Sequence, residues 1–204
     1  MDQAQRSGLP ANLHFSRLPS SRREAGVIAG VAPEIRAKIL LGFDANRFMV
    51  TSPEMRSYRF IHFATHSVFD DEHPESSGIV LSLFDHDGKP QDGFIRLKDI
   101  YNLKLSADLV VLSACDTALG KDIKGEGITG ITRGFMYAGA PRVVATLWNV
   151  DDEATSEFMK WFYAGILEKH ESPSAALREA QMEIRKQARW KSPYYWGAFV
   201  IEGD

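Results

Sequence analysis

Asp108-Leu109-Val110-Val111-Leu112-Ser113-Ala114-Cys115-Asp116-Thr117 is the stretch on which the fold turns. It is nearly continuously apolar as far as Ala114 and then becomes polar. A strand facing water on one side would alternate with a period of two, so an unbroken run signals burial on both faces. Such strands belong to parallel sheets covered by helices on either side. Two runs of similar character lie before and after it, Arg59-Phe60-Ile61-His62-Phe63-Ala64-Thr65 and Arg142-Val143-Val144-Ala145-Thr146-Leu147-Trp148. All three end in polar residues: Thr65-His66-Ser67, Cys115-Asp116-Thr117 and Asn149-Val150-Asp151-Asp152. Ligands and catalytic groups of open α/β sheets gather at the carboxyl ends of the strands. These segments are therefore the candidate site.

Outward from this centre, periodicity predicts helices over 22–30, 97–103, 128–138, 151–170 and 173–190, and a helix or turn over 45–57. Further strands are expected at 37–41, 79–84 and 195–201. Ser172 and Pro173 read as the N-cap and first residue of the last helix, where a missing N–H costs little. Strands alternating with helices predict one α/β sandwich with a mostly parallel central sheet. Residues 1–12, polar and holding Gly8 and Pro10, read as a flexible tail ahead of a domain at 13–204. No internal repeat, low-complexity tract or linker is evident.

Composition narrows the function classes. The 204 residues are 44% hydrophobic and 25% charged, enough to build a core. Lys plus Arg number 24 and Asp plus Glu 27, a net charge of −3, without the positive field of a nucleic-acid binder. No apolar run approaches the roughly 18 residues of a membrane span, and the N-terminus lacks the apolar core of a signal peptide. Cys115 is the only cysteine, so no internal disulfide exists and a reducing cytoplasm is expected.

Cys115 at a strand's carboxyl end has two readings. It is either inert packing or a thiol facing a cleft, where a neighbouring imidazole lowers its pKa and supplies a thiolate. His66, 49 residues earlier and at the end of another strand, is the candidate imidazole. His62 and His66 would lie about 13 Å apart along a strand, too far to share one ion whose Zn–N bonds are about 2.0–2.1 Å. His62 therefore reads as a core histidine, His73 and His86 as solvated, and no metal is expected. Gly125-Glu126-Gly127-Ile128-Thr129-Gly130 matches a dinucleotide fingerprint. That fingerprint must follow a strand directly, whereas a charged stretch intervenes here, so a loop and a helix packed through Gly130 and Gly134 is the expectation, with no cofactor. Asp151, Asp152 and Glu153 head a helix, where acids cap and complement the dipole. One of them could also line the cleft and select a basic side chain. Trp148, Trp161, Phe162 and Tyr163 read as core and helix packing, and Tyr194 to Trp196 as the start of an edge strand.

Phe63-Ala64-Thr65-His66 and Leu112-Ser113-Ala114-Cys115-Asp116-Thr117 together resemble the CHAT domain, a caspase-like domain often joined to tetratricopeptide repeats. Further matches follow in order: Gly125-Glu126-Gly127, Phe135-x-Tyr137-Ala138-Gly139-Ala140, Leu147-Trp148-x-Val150-Asp151-Asp152, Ala176-Leu177-Arg178-Glu179-Ala180 and Pro193-Tyr194-Tyr195-Trp196-Gly197-Ala198-Phe199. The resemblance runs from about Leu18 to the end. It implies a caspase-like three-layer sandwich and a cysteine endopeptidase with His66 as base or imidazolium partner and Cys115 as nucleophile. It also implies an oxyanion held by the backbone N–H groups of Ser67 and Cys115, and Asp151 or Asp152 in a pocket for a basic P1 residue. The implied partners are a protein or peptide substrate and an activating protein such as one built of tetratricopeptide repeats, with neither nucleic acid nor membrane.

Ser67 departs from the family, which usually has glycine there. Serine keeps the N–H but resists positive φ. The family also commonly carries more sequence before the segment at 18–25, so an open edge strand or dependence on a partner chain is expected. The alternative function is a caspase-like scaffold or regulatory module without catalysis.

Overall fold

The computed structural model describes residues 15, 18–70, 73–113 and 126–203. The tail expected at 1–12 lies outside them. A four-stranded sheet stands at the centre, built from β1 (Phe60–Phe63), β5 (Leu109–Leu112), β6 (Val143–Thr146) and β7 (Phe199–Glu202) in the order β1-β5-β6-β7. β1, β5 and β6 are parallel, and β7 runs antiparallel on the far edge. Every residue of β5 and β6 is buried, as the unbroken apolar runs require.

The alternation of side chains divides the core in two. Ile61, Phe63, Val110, Leu112, Val143 and Ala145 point to one face, where α3 (Leu97–Tyr101) supplies Ile100 and α4 (Glu126–Tyr137) supplies Ile128, Ile131 and Phe135. Leu109, Val111 and Val144 point to the other, against α1 (Pro19–Val31), α5 (Asp152–Leu167) and α6 (Pro173–Lys186). Ala154, Phe158, Phe162 and Ile166 recur every four residues along α5 and form its buried stripe. Phe158 stacks on Phe199 of β7 with ring centroids 3.8 Å apart. Burying side chains of this size contributes about 1.5–3 kcal/mol each. The result is the three-layer α/β sandwich that the sequence predicts.

A second, antiparallel sheet lies beyond β1: β2 (Ser67–Val68), β3 (Gly78–Val80) and β4 (Phe94–Arg96). Its Ile79 and Ile95 join the first core, while Val68, Val80 and Phe94 form a small cluster. The short helix α2 (Arg47–Thr51) starts at Asn46, whose side chain accepts from the Met49 N–H at 3.1 Å. Ser172 caps α6 by accepting from Ala175 N–H, with Pro173 following as expected.

Three expectations need correction. Residues 37–41 are not a strand: among the described residues they pair with no strand and lie at the surface, with Ile39 45% exposed. The strand expected over 79–84 is regular only to Val80; beyond it the pairing thins to the Leu81 N–H on the Gly93 carbonyl at 2.7 Å, the Gln91 N–H on the Leu83 carbonyl at 2.8 Å and a bridge between Phe84 and Pro90. Residues Pro193–Tyr195 form a 3-10 turn capped by Ser192 rather than the start of β7, and Tyr194 is half exposed. Among the described residues, β1 pairs only with β5 and so stands at the sheet's edge.

Candidate active site at the carboxyl edge of the sheet

Phe63 and Leu112, the last residues of β1 and β5, are register partners. The ladder continues one step further, with the Ser113 N–H donating to the Phe63 carbonyl at 3.1 Å. The segments bearing His66 and Cys115 therefore leave the sheet from neighbouring strand ends. Cys115, Asp116 and Thr117 themselves lie outside the described residues, as does Gly125.

The small sheet holds the histidine loop. Thr65 Oγ1 donates to the Val80 carbonyl at 2.5 Å, and the Val80 N–H donates to the His66 carbonyl at 2.9 Å. His66 is buried, and the Phe15 ring lies against it with centroids 5.3 Å apart. Ser67, also buried, pairs with Ile79. The Val80–His66 bond flanks this pair, so in the alternation of an antiparallel ladder the Ser67 N–H turns away from β3. Among the described residues the one non-glycine with positive φ is His170, so Ser67 carries no left-handed strain.

At the third strand end, Asp151 is the N-cap of α5, its carboxylate accepting from the Ala154 N–H at 3.0 Å. Asp152 is exposed, and Glu153 pairs with Arg189 at 2.5 Å. The glycine motif opens α4, and a Cβ at Gly134 would come within 3.1 Å of Ile100 and 3.2 Å of Leu97. Gly134 thus admits α3 against α4. Gly130 is looser, with Leu97 alone nearby at 3.7 Å.

His62 is more than a packed core residue. Its Nε2 lies 3.0 Å from Glu24 Oε1 and 3.1 Å from Ser113 Oγ, and its Nδ1 lies 3.1 Å from the Tyr163 hydroxyl. Burial raises the Tyr163 hydroxyl pKa, and the Glu24 charge raises it further, so the phenol keeps its proton. Glu24 was legible only as a lone acid on the helix face shared with Ile28 and Val31, at spacings of four and seven. His73 and His86 are exposed beside Glu75 and Asp44. Among the described residues no group of three or more metal-ligating side chains converges. A cavity of about 1250 Å³ runs along the edge of β1, lined by residues of α1 and of the segment 35–41, with His62 and His66 in its wall.

The model of the CHAT domain family matches residues 2–204. The chain belongs to the CHAT domain family. This CHAT domain is also similar to tetratricopeptide repeat protein 28 of mouse, 34% identical over 106 residues, and of human, 31% identical over 114 residues. Those alignments cover 52% and 56% of the CHAT domain and 4% of each relative. The family is caspase-like and related to peptidases, in keeping with the sandwich and its mostly parallel sheet.

Proposed function

We propose that this CHAT domain is a cysteine endopeptidase whose nucleophile is Cys115 and whose general base and acid is His66. The observation that carries the proposal is the Phe63–Leu112 register, which ends the strands before His66 and Cys115 side by side. His66 takes the thiol proton, and the thiolate of Cys115 attacks the substrate carbonyl carbon. Backbone N–H groups of Ser67 and Cys115 receive the oxyanion, and the direction of the Ser67 N–H away from β3 supports that role. His66 then returns the proton to the departing amine, leaving a thioester that water hydrolyses. Asp152 supplies negative charge for a basic P1 side chain, since Asp151 already serves the helix N-terminus. The chemistry suits a reducing cytoplasm, and a protein with tetratricopeptide repeats is the partner that the named relatives bring to mind.

Ser67, buried in β2 where the family usually has glycine, favours a second reading, a caspase-like scaffold without catalysis. Intact mass after exposure to an acyloxymethyl ketone carrying P1 lysine or arginine separates the two. A single adduct on Cys115 that His66→Ala abolishes is the expected result. Failure of both this probe and a small alkylating agent to modify Cys115 overturns the peptidase and leaves the scaffold.

A further inference from the structure

The Glu24–His62–Ser113 chain includes neither member of the proposed catalytic pair, yet in sequence it ends two residues before Cys115. Its members come from three elements: Glu24 from α1, His62 from β1, and Ser113 from the end of β5. Tyr163 of α5, in the same helical layer as α1, closes it. All four sit on one face of the sheet, since His62 shares its side with Phe60, and Ser113 with Leu109 and Val111.

Burying a carboxylate is costly, and apolar side chains of similar volume would join α1 to the sheet at least as firmly. What the polar chain adds is a single geometry. With Glu24 ionised, the His62 Nε2 proton is shared between Glu24 Oε1 and Ser113 Oγ, and Nδ1 is left to accept from the Tyr163 hydroxyl; this assignment follows from the partners. The geometry is not a second serine-histidine-acid relay. Such a relay needs the hydroxyl and the acid on opposite ring nitrogens, whereas here both share Nε2, and Ser113 is 5% exposed.

α1 is seated by α5 on one side and bounded by the large cavity on another, where Ile28 and Ala32 form part of the wall. Ile28 and Val31 pack α1 into the core, and the Glu24 carboxylate adds a directed contact that registers the helix against β1 and, through His62, against Ser113 at the end of β5. We propose that Glu24, His62 and Ser113 are positioning residues for Cys115: the hydrogen-bonded chain fixes the end of β5 and makes the seating of α1 a condition of thiol reactivity. The inference rests on the reading of Cys115 as nucleophile.

Because Cys115 is the only cysteine, alkylation by iodoacetamide followed by intact mass reads this thiol alone in the full chain. Rates are measured from pH 5 to pH 10, with thermal melting alongside. In the wild type the His66 partnership places the rate profile below that of an ordinary thiol, near pKa 8.5. Glu24→Gln and Ser113→Ala are expected to move it back toward that value and slow alkylation at pH 7 roughly tenfold, the scale of a small misplacement. The double variant is expected to do no more than either single one, and Ser113→Thr to restore the wild-type profile. Ser113→Ala and Ser113→Thr remain informative should Glu24→Gln fail to fold. Melting shifts with an unchanged profile in Glu24→Gln and Ser113→Ala, while His66→Ala still abolishes reactivity, overturn the positioning role and leave the peptidase reading standing. A wild-type profile already like a free thiol, unchanged by His66→Ala, overturns both.

Discussion

Val80 donates its N–H to the carbonyl of His66 at 2.9 Å, so the small antiparallel sheet, not the main one, fixes the histidine loop. The Thr65 hydroxyl reinforces the same contact by donating to the Val80 carbonyl at 2.5 Å. Thr65→Val keeps the shape and removes that donor. We expect a stability loss of about 1 kcal/mol by urea denaturation, the usual worth of one such bond. We also expect a larger fractional loss in Cys115 alkylation rate, because the missing bond loosens the imidazole rather than the core. A stability loss with an unchanged rate would detach this bond from the site.

Gly139 has φ of +114°, and a Cβ there would lie 2.4 Å from the Leu105 carbonyl oxygen. Leu105 cannot withdraw easily, since its own N–H donates to the Ala138 carbonyl at 2.8 Å. Gly139→Ala should therefore cost at least about 2 kcal/mol, from backbone strain and the clash together. In a chain of this length that corresponds to a melting temperature lower by roughly 4–8 °C. Calorimetry of the variant checks it. A shift below about 2 °C would mean that the turn between α4 and β6 relaxes freely.

The three parallel strands and their polar ends were legible because burial on both faces leaves an unbroken apolar run, as in Leu109 to Leu112. The same signal misled at 37–41, where Ile39, Leu40 and Leu41 are apolar but pair with no strand among the described residues. β2 and β4 escaped notice because two or three residues carry no periodicity. Asp151 as N-cap was readable from its place at a helix start. Glu24 with His62 was not, because 38 residues separate them and only the packing of α1 across the sheet brings them to 3.0 Å. Chemistry at strand ends follows from local pattern, whereas chemistry between layers waits on tertiary structure.

Asp99 carries a pH dependence. Burial pushes its carboxyl pKa up, but the Arg47 guanidinium at 2.8 Å and the Arg96 N–H at 3.0 Å pull harder, and it ends below the usual carboxylate range. A lowered folded-state pKa gives stability that is present above the unfolded value, about 3.9, and is lost as pH falls through the folded one. Asp99→Asn is thus expected to lower stability at pH 7 by about 1 kcal/mol, and the gap to the wild type should close below about pH 4. Denaturant midpoints at pH 3, 5 and 7 test this. A gap that stays constant with pH would assign the loss to packing rather than charge.

Asp151 and Asp152 stand side by side at the end of β6, and their surroundings divide the work between them. The Asp151 carboxylate holds the Ala154 N–H at 3.0 Å, while Asp152 is exposed in the first turn of α5. Asp151→Ala should remove a cap worth about 1 kcal/mol, lowering the melting temperature by roughly 2–4 °C, with the preference for a basic P1 residue retained. Asp152→Asn leaves the cap and the fold intact but removes the charge that would face an arginine side chain. With paired peptides differing only as arginine or glutamine at P1, it should erase most of the arginine preference in kcat/KM. The uncharged glutamine peptide should be turned over as before. If Asp151→Ala erased the preference instead, the cap would have to release its carboxylate when substrate binds; if neither variant did, the basic pocket would lie elsewhere on the cleft.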